Sequence, residues 1–334
     1  MKRIFLLIAL VALAGILAAC GSTDASGDEN GTSEGKTVTI GYFPNLNHVP
    51  AMVAKEKEFY QKNLPDGSSL EYVTFPDGAT FMTALKTGDI DAGLVGPGPA
   101  MNNYTNGADV KMIAGGSTGG TVVLAREGSG IESYEDLAGK TFITPRVGCT
   151  HDVQFETFMK EIGITSERTG GEMVHQTGKP AQYEAMFETG KIDVAVAPEP
   201  WGSVLEQNTG AKVIIQPDEI AFGETLPASV LVTSGELIEQ DPELVQGIVD
   251  AHKEATTFIA ENPEEAKEIT LNDIEEVTGQ RLEQSVLDGA WENTGFNTAL
   301  IPEEIQAFGD SSFDLKFLKE QPDFSELTDT QFID

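Results

Sequence analysis

A six-residue motif occurs twice in this chain, once in each half. Thr87-Gly88-Asp89-Ile90-Asp91-Ala92 returns as Thr189-Gly190-Lys191-Ile192-Asp193-Val194. Each copy follows an amphipathic helical pattern and leads into a Pro-x-Pro segment, at residues 97–99 and 198–200. Two copies of one supersecondary unit are too few for a solenoid, which needs several copies at a short period. We therefore expect an α/β chain with two similar lobes and a ligand between them.

The N-terminus has the pattern of a secretory leader. Lys2 and Arg3 precede an apolar run over residues 4–17, and the sequence continues to Leu17-Ala18-Ala19-Cys20. The run is too short for a membrane span and ends in a cleavage-type sequence, which predicts a signal peptide over residues 1–20. Leu-Ala-Ala-Cys resembles a bacterial lipobox, so Cys20 is expected to be lipidated and to anchor the protein on the extracytoplasmic face of the cell membrane. Residues 21–35 are acidic and low in complexity, which predicts a flexible tether.

The charge balance excludes one class of partner. The chain has 21 Lys and Arg residues against 54 Asp and Glu residues, a formal net charge of −33. Such a surface repels nucleic acid and anionic lipid. It also repels an anionic ligand, but salt screens charges over roughly 8–10 Å. A local pocket of N–H dipoles can therefore still hold an anion.

The folded body is expected to divide into two domains, because its length of about 300 residues exceeds a usual single core. We place the first part of lobe 1 at residues 36–125, lobe 2 at 126–222, and the return to lobe 1 with the C-terminal helices at 223–334. The glycine-rich segment 115–121 lacks the Gly-x-x-x-x-Gly-Lys-Ser/Thr pattern of a phosphate loop and precedes an apolar strand. We therefore expect this segment to cross between the lobes and to place the Ser117 and Thr118 hydroxyl groups at the cleft.

Residues 140–155 predict one wall of an anion pocket. A short apolar strand containing Phe142 and Ile143 runs into a turn and then a helix, so small polar residues stand where the helix begins. A helix start exposes unpaired N–H groups and positive dipole charge, which Thr150 would cap or complement by offering its hydroxyl to an anion. The alternative is that Thr150 or Asp152 only caps a surface helix.

Loops after other predicted strands carry further candidate contacts. Ligands of open α/β sheets bind at the carboxyl ends of the strands, which favours Asn45, Asn47 and His48. The alternative for His48 is packing against a neighbouring proline. Trp201 is expected either to roof the ligand or to fill the core. Glu199 would repel an anion, so it is expected to point to solvent or to meet a donor group of the ligand.

Several motifs appear in a specific order along nearly the whole chain. They are the lipobox, Ile40-Gly41-Tyr42-Phe43-Pro44-Asn45 with His48 and Pro50, the Gly-Asp-Ile-Asp strand, Gly115-Gly116-Ser117-Thr118-Gly119-Gly120, Thr144-Pro145-Arg146-Val147-Gly148 and Pro198-Glu199-Pro200-Trp201. Together they resemble the nitrate/sulfonate/taurine family of substrate-binding proteins of ABC transporters. The resemblance implies a two-lobed periplasmic-binding-protein fold, type II-like, with a ligand cleft between the lobes. It also implies delivery of the ligand to an ABC permease with its ATPase.

Within that family the chain looks most similar to the aliphatic-sulfonate binders. There the turn after the second-lobe strand commonly reads Thr-Pro-x-x-Gly-Asn-Thr-x-Asp, whereas here Cys149 stands at the Asn position and an amide donor is lost. Arg146 would favour an oxyanion if it points inward, because a guanidinium can clamp a sulfonate or carboxylate. Taurine, a longer alkane sulfonate, nitrate, bicarbonate and a thiamine-type pyrimidine precursor remain open as ligands.

The mechanism expected is hinge closure of two lobes on a small oxyanion such as an aliphatic sulfonate or taurine. Neither a cofactor nor a metal is expected, and the protein is expected to be a monomer. The residues expected at the ligand are Asn45, Asn47, His48, Gly96, Pro97, Ser117, Thr118, Thr144, Arg146, Gly148, Cys149, Thr150, Glu199 and Trp201.

Two other classes of function have less support in the sequence. Cys149 has no disulfide partner once Cys20 is lipidated, and with His151 it offers a nucleophile and a base. No third group that would orient them is evident, so no enzyme is expected. Cys149, His151, His48 and His175 also lack a ligand spacing such as Cys-x-x-Cys or His-Glu-x-x-His, which argues against a metal-binding lipoprotein.

Overall fold

Apolar runs alternate along the chain with amphipathic segments, and strands and helices form from them in the same alternation. The computed structural model describes residues 36–223 and 225–333. The predicted signal peptide, Cys20 and the tether lie outside these residues. The strands, in chain order, are β1 (Thr37–Tyr42), β2 (Ser69–Thr74), β3 (Ala92–Val95), β4 (Lys111–Gly119), β5 (Thr121–Ala125), β6 (Thr141–Thr144), β7 (Val174–Thr177), β8 (Val194–Pro198), β9 (Lys212–Ile215), β10 (Pro227–Thr233) and β11 (Thr294–Gly295).

The α-helices lie between and after these strands. In chain order they are α1 (Val49–Glu56), α2 (Phe59–Asn63), α3 (Gly78–Thr87), α4 (Pro97–Thr105), α5 (Thr150–Glu161), α6 (Tyr183–Glu188), α7 (Trp201–Thr209), α8 (Gly235–Gln240), α9 (Pro242–Glu261), α10 (Pro263–Thr278), α11 (Gln284–Glu292) and α12 (Pro302–Asp314). None of the helices in the described part of the chain combines the length and the hydrophobicity that a bilayer crossing requires.

The strands form two sheets of related topology. The first sheet has the order β11-β4-β10-β3-β1-β2 and the second has the order β7-β6-β8-β5-β9. In each sheet three parallel strands, β2-β1-β3 or β7-β6-β8, lie beside an antiparallel strand, β10 or β5. The two-lobed α/β fold that the internal repeat predicts is therefore confirmed.

The repeated motif performs the same structural task in each lobe. The Asp91 carboxylate accepts a hydrogen bond from the Thr39 N–H at 2.8 Å, and the Asp91 N–H donates to the Thr39 carbonyl at 2.9 Å. The Asp193 carboxylate accepts from the Thr141 N–H at 3.1 Å, and the Asp193 N–H donates to the Thr141 carbonyl at 2.9 Å. Each aspartate thus joins the start of the third parallel strand to the start of the first.

The chain passes from the first sheet to the second at Gly119 and Gly120, whose φ angles are 68° and 69°. Glycine adopts these left-handed conformations without the steric cost that a Cβ would bring. The sequence-based boundary between residues 125 and 126 differs from the structure, because β5 pairs with β8 and β9 in the second sheet. Strand β9 pairs with β5 in the second sheet, and the return to the first sheet occurs between β9 and β10. Which sheet an apolar strand joins depends on its pairing partners rather than on its own sequence.

The C-terminal helices pack on the first lobe, as the sequence predicts. Leu244, Ile248 and Ala255 of α9 share a core with Val38 and Ile40 of β1. The last segment is also packed, because the buried side chains of α12 and of the residues that follow it form a second core under the first sheet. Its members include Phe308, Leu315, Leu318, Phe324 and Leu327.

Candidate functional site

A cavity of about 380 Å³ lies between the two lobes. Its lining residues fall in the segments that follow the parallel strands β1, β2 and β3 of the first lobe and β6, β7 and β8 of the second, with further residues from the end of α10. Open α/β sheets bind ligands at this edge. The volume is within the range of pockets that hold small organic molecules.

The N-terminus of α5 forms part of the second lobe's wall. Cys149 occupies the N-cap position, and no side chain caps the helix by a hydrogen bond. Thr150 does not cap its own helix, because its Oγ1 accepts a hydrogen bond from the Gly98 N–H of α4 at 3.2 Å. The Thr150 hydroxyl keeps its own proton, which it can donate to a ligand. The first turn of α5 is thus open to an anion.

The N-terminus of α4 faces α5 from the first lobe and differs from it in character. The Pro97-Gly98-Pro99 segment forms the first turn of α4 rather than a loop, and the two prolines have no N–H to offer. The Gly98 N–H is already bound to Thr150. A Cβ on Gly96 would lie 2.4 Å from Thr150 Oγ1, so glycine is required for the two helices to approach this closely.

Two histidines, one from each lobe, line the cavity. His48 ends a 3-10 turn (Leu46–His48) that leads into α1, and His151 is the second residue of α5. Burial lowers the pKa of His48 to about 3, with a further contribution from His151, and burial lowers the pKa of His151 to about 4. Both imidazoles are therefore neutral at pH 7. The His48 ring packs against the Phe43 ring, with 4.6 Å between their centroids.

Cys149 is buried and lines the same cavity. Burial, followed by the charge of Asp152, raises the pKa of its thiol to about 12. The group is therefore a thiol at neutral pH and not the thiolate that a nucleophile or a metal ligand requires. Within the described part of the chain, Cys149, His48 and His151 do not come close enough together to share an ion.

Trp201 and Glu199 join the lobes beside the crossing strands. The Trp201 indole N–H donates to the Pro44 carbonyl at 3.2 Å, and the Leu46 N–H donates to the Glu199 carbonyl at 2.8 Å. The Glu199 side chain is 1 % exposed and accepts hydrogen bonds from Ser203 and from Asn293. Burial raises the pKa of the Glu199 carboxyl group. Glu199 therefore lies neither in solvent nor in the cavity wall.

A cluster of buried polar residues supports the turn that precedes α5. Asp152 Oδ2 accepts from the Gly148 N–H at 2.8 Å, while Asp152 Oδ1 lies 3.6 Å from His175 Nε2 and has no hydrogen bond partner. Glu156 pairs with Arg168 at 2.7 Å. Burial and the neighbouring Glu156 raise the pKa of Asp152 well above its usual range. The shape of the cavity wall is thus linked to a buried carboxyl group whose pKa is raised.

The structure brings half of the sequence-predicted site residues together and places the others elsewhere. Those that line the cavity are Asn45, Asn47, His48, Gly96, Cys149, Thr150 and Trp201; those outside its lining are Pro97, Ser117, Thr118, Thr144, Arg146, Gly148 and Glu199. Ser117 lies within the first sheet and shares a hydrogen bond with Ser229 at 2.9 Å. Thr144 bonds to His175 at 2.7 Å.

Arg146, the strong cation expected near the ligand, lies at the surface. Its side chain is 53 % exposed and its guanidinium is 3.4 Å from the Asp77 carboxylate of the first lobe. An exposed ion pair of this kind is screened by water and salt. Arg146 therefore bridges the two lobes outside the cavity lining.

Several side chains of the cavity wall are not among the ligand contacts expected from the sequence. These residues are Phe43, Phe75, Asp77, His151, Lys179, Gln182, Thr278 and Gln280. Asp77 follows β2 and Lys179 follows β7, so both obey the same rule that selected the loop after β1. Applying that rule to every parallel strand would have found them.

Comparisons with known proteins agree on the family. The sequence model of the NMT1-like family matches residues 31–271. A protein of Bacillus subtilis (strain 168) with the provisional name aliphatic sulfonates-binding protein is 25% identical over 334 residues, which are 98% of this chain and 95% of the relative.

Solved structures show the same fold. The alkanesulfonate-binding protein SsuA from Xanthomonas axonopodis pv. citri, bound to MOPS, superposes with a TM-score of 0.76 at 18% identity, over 89% of this chain and 99% of that one. The periplasmic nitrate-binding protein NrtA from Synechocystis PCC 6803 superposes with a TM-score of 0.74 at 15% identity, over 90% and 88% of the two chains. The resemblance read from the sequence is confirmed: this chain belongs to the NMT1-like family, and the proteins that it is similar to are named for binding sulfonates and nitrate.

Proposed function

We propose that this protein is the extracytoplasmic substrate-binding component of an ABC importer and that it captures a small organic oxyanion, an aliphatic sulfonate or taurine, by closure of its lobes. The observation that carries the proposal is the cavity that both lobes line, with the uncapped N-terminus of α5 and the Thr150 hydroxyl at its wall. Helix N-termini bind anions through backbone N–H groups and the helix dipole.

The shape of the cavity supports an organic ligand more than an inorganic ion. Its volume of about 380 Å³ exceeds what nitrate or bicarbonate alone would fill, and the Phe43, Phe75 and Trp201 rings provide apolar surface for a carbon skeleton. An aliphatic sulfonate has both the anionic head and the apolar body that such a wall fits. The aromatic rings and the Asp77 carboxylate also suit a thiamine-type pyrimidine precursor, which is the second candidate.

The chemistry of the cavity supports binding rather than catalysis. The Cys149 thiol holds its proton at neutral pH, and it makes no hydrogen bond to the His151 imidazole that would activate it. No bond of the ligand is made or broken in the proposed cycle. The remaining parts of the proposal are a permease with its ATPase as the receiving partner, a lipid anchor at Cys20 and a monomeric state.

Thermal unfolding of the purified protein tests the proposal. A ligand at about 100 times its Kd stabilises the native state by about 2.7 kcal/mol. We expect taurine or one of the alkanesulfonates to raise the Tm by several degrees, while nitrate and bicarbonate do not. A rise in Tm with a hydroxymethylpyrimidine alone would select the second candidate, and a response to none of these compounds would refute both.

A further inference from the structure

His48 and His151 form a pair that spans the cavity. His48 belongs to the first lobe and His151 to the second, and both line the cavity. They are near enough for a charge on one to disfavour a charge on the other, since His151 contributes to lowering the pKa of His48. Two imidazoles from opposite lobes thus share one cavity.

Neither imidazole has a partner within the described part of the chain. His48 Nδ1 and His151 Nε2 are buried and make no hydrogen bond, and His48 as a whole is only 5 % exposed. Nearly all buried polar groups in proteins are hydrogen-bonded. His175 and His252, which lie outside the cavity lining, each leave Nδ1 without a partner but are held through Nε2, by Thr144 and by the Gly115 carbonyl, whereas no ring nitrogen of His48 or His151 is bonded to a described residue of the protein. The cavity pair is therefore left for a ligand to satisfy.

The other charged groups around the pair leave the cavity with little net positive charge. Among the described lining residues, the titratable side chains besides the two histidines are Asp77, Cys149 and Lys179. Asp77 opposes Lys179 in sign and is itself paired with Arg146 outside the lining. Cys149 holds its proton. Apart from the two histidines, the titratable side chains of the lining therefore attract an anion very little by their net charge.

The groups packed behind the pair do not change this balance. Asp152 and Glu156 lie on α5 with His151, and Arg168 and His175 contact them from the same lobe. Burial and the neighbouring Glu156 raise the pKa of Asp152, and Glu156 is compensated by Arg168. Glu199, the buried carboxyl group near the first-lobe loop of His48, is bonded to Ser203 and to Asn293.

We propose that His48 and His151 are the residues that recognise the ligand's anionic group, and that the pair takes up one proton from solvent when the anion binds between them. The inference rests on the proposed function, because it requires an anionic ligand. One imidazole becomes an imidazolium that donates to the anion, and the other remains neutral and donates through its single N–H. The sulfonate loses no atom and keeps its charge, so the proton is the only species exchanged with solvent.

The sign of the effect follows from the linkage between binding and protonation. In the free protein both imidazoles are neutral at pH 7, because burial lowers the pKa of each to about 3 and about 4. A bound anion raises the pKa of the imidazole that it contacts, since an opposite charge favours the protonated form. The complex then binds more protons than the free protein, so affinity rises as the pH falls, by up to about tenfold per pH unit. Affinity depends on pH in this way only at pH values between the pKa values of the free pair and the higher pKa of the pair in the complex.

Calorimetry on the wild-type protein tests the inference without any mutation. Hexanesulfonate and taurine are suitable probes, because the sulfonate group does not titrate between pH 5 and 8. Titrations at pH 6 in phosphate and in Bis-Tris, which differ in their ionisation enthalpies, give the number of protons taken up on binding. An anion in contact raises the pKa of an imidazole by about 1–3 pH units, so a pKa of about 4 should become about 7 in the complex. We expect an uptake close to one proton at pH 6 and a Kd that falls by up to about tenfold between pH 6 and pH 5. Binding without proton uptake would overturn the inference and leave the proposed function standing, whereas no binding of either sulfonate would overturn both.

Two variants and a control then assign the proton to the pair. His48→Gln and His151→Gln keep a hydrogen bond donor but cannot be protonated, so each should weaken binding and flatten its dependence on pH. His252→Gln is the matched control, because His252 is buried outside the cavity lining and a glutamine can still donate to the Gly115 carbonyl. It should keep the full proton uptake. Loss of the uptake in His252→Gln, or its survival in both cavity variants, would overturn the assignment.

Discussion

The contact between Gly96 and Thr150 gives a direct test of how the lobes close. A Cβ on Gly96 would lie 2.4 Å from Thr150 Oγ1, whereas ordinary contact begins at 3.4 Å, so the variant Gly96→Ala requires a separation of about 1 Å (3.4 − 2.4) between the starts of α4 and α5. Overpacking of this kind costs about 1–3 kcal/mol. If lobe opening relieves the strain, the cost falls on the closed, ligand-bound form, and we expect affinity to drop roughly 5- to 150-fold.

A double-mutant cycle makes this prediction specific to the contact. Thr150→Ala removes the Oγ1 that clashes, and it also removes the hydrogen bond from the Gly98 N–H, at a cost of about 0.5–1.5 kcal/mol. Gly96→Ala should therefore be harmful in the wild-type background but nearly neutral in the Thr150→Ala background. The Kd of the ligand found by thermal screening, measured by calorimetry for all four proteins, gives the coupling.

Gly289→Ala serves as the control for a glycine-to-alanine change, because Gly289 lies in α11 and nothing is within 4 Å of the position that an added Cβ would occupy. It should leave the Kd unchanged. In urea unfolding, Gly96→Ala should lower the free energy of unfolding by less than it weakens the free energy of ligand binding, since the lobes can open without unfolding. Two single-mutant effects that simply add in the double mutant would refute the reasoning, as would wild-type affinity in Gly96→Ala.

Three further predictions concern single residues. Arg146→Ala should change the free energy of unfolding by less than about 1 kcal/mol in urea denaturation, because its ion pair with Asp77 is exposed; a larger loss would mean that this pair holds the lobes together. Cys149 should react slowly with iodoacetamide at pH 8 and rapidly after denaturation, because burial raises the pKa of its thiol to about 12; fast alkylation of the native protein would contradict this. Asp152→Asn should reduce the dependence of stability on pH. The folded state of the wild type binds more protons than the unfolded state, because the pKa of Asp152 is raised, so its stability should fall as the pH rises above about 4 toward the raised pKa. Equal slopes for the two proteins in urea unfolding between pH 4 and pH 8 would refute that assignment.

Local patterns predicted much of the architecture. The duplicated Gly-x-Ile-Asp motif predicted two lobes. In the structure its aspartate makes the same bond in each lobe, to Thr39 of β1 and to Thr141 of β6. The apolar residues of α9, among them Leu244, Ile248 and Ala255, recur near the 3.6-residue period of a helix that buries one face. Features of this kind depend on contacts near in sequence or on a strict period, so a single sequence carries them.

The features that sequence reasoning missed depend on contacts between distant segments. The assignment of β5 to the second sheet follows from its pairing with β8, about 70 residues away in the chain, and no property of residues 121–125 distinguishes the two sheets. The direction of the Glu199 side chain depends on Asn293, which comes from the other lobe. The turn that carries Arg146 was placed correctly after β6, but Asp77, the ion-pair partner of its exposed side chain, follows β2.

The unequal helix starts at the cavity have a consequence for transport. Duplication produced two lobes of related topology, yet α4 begins with prolines that lack N–H groups while α5 begins without a cap. Under the proposed function, a ligand with one charged end cannot lie in the cavity in both orientations, since its head belongs at α5 and its tail against the Phe43 and Phe75 rings of the first lobe. The receiving channel would therefore meet every molecule of cargo in the same direction.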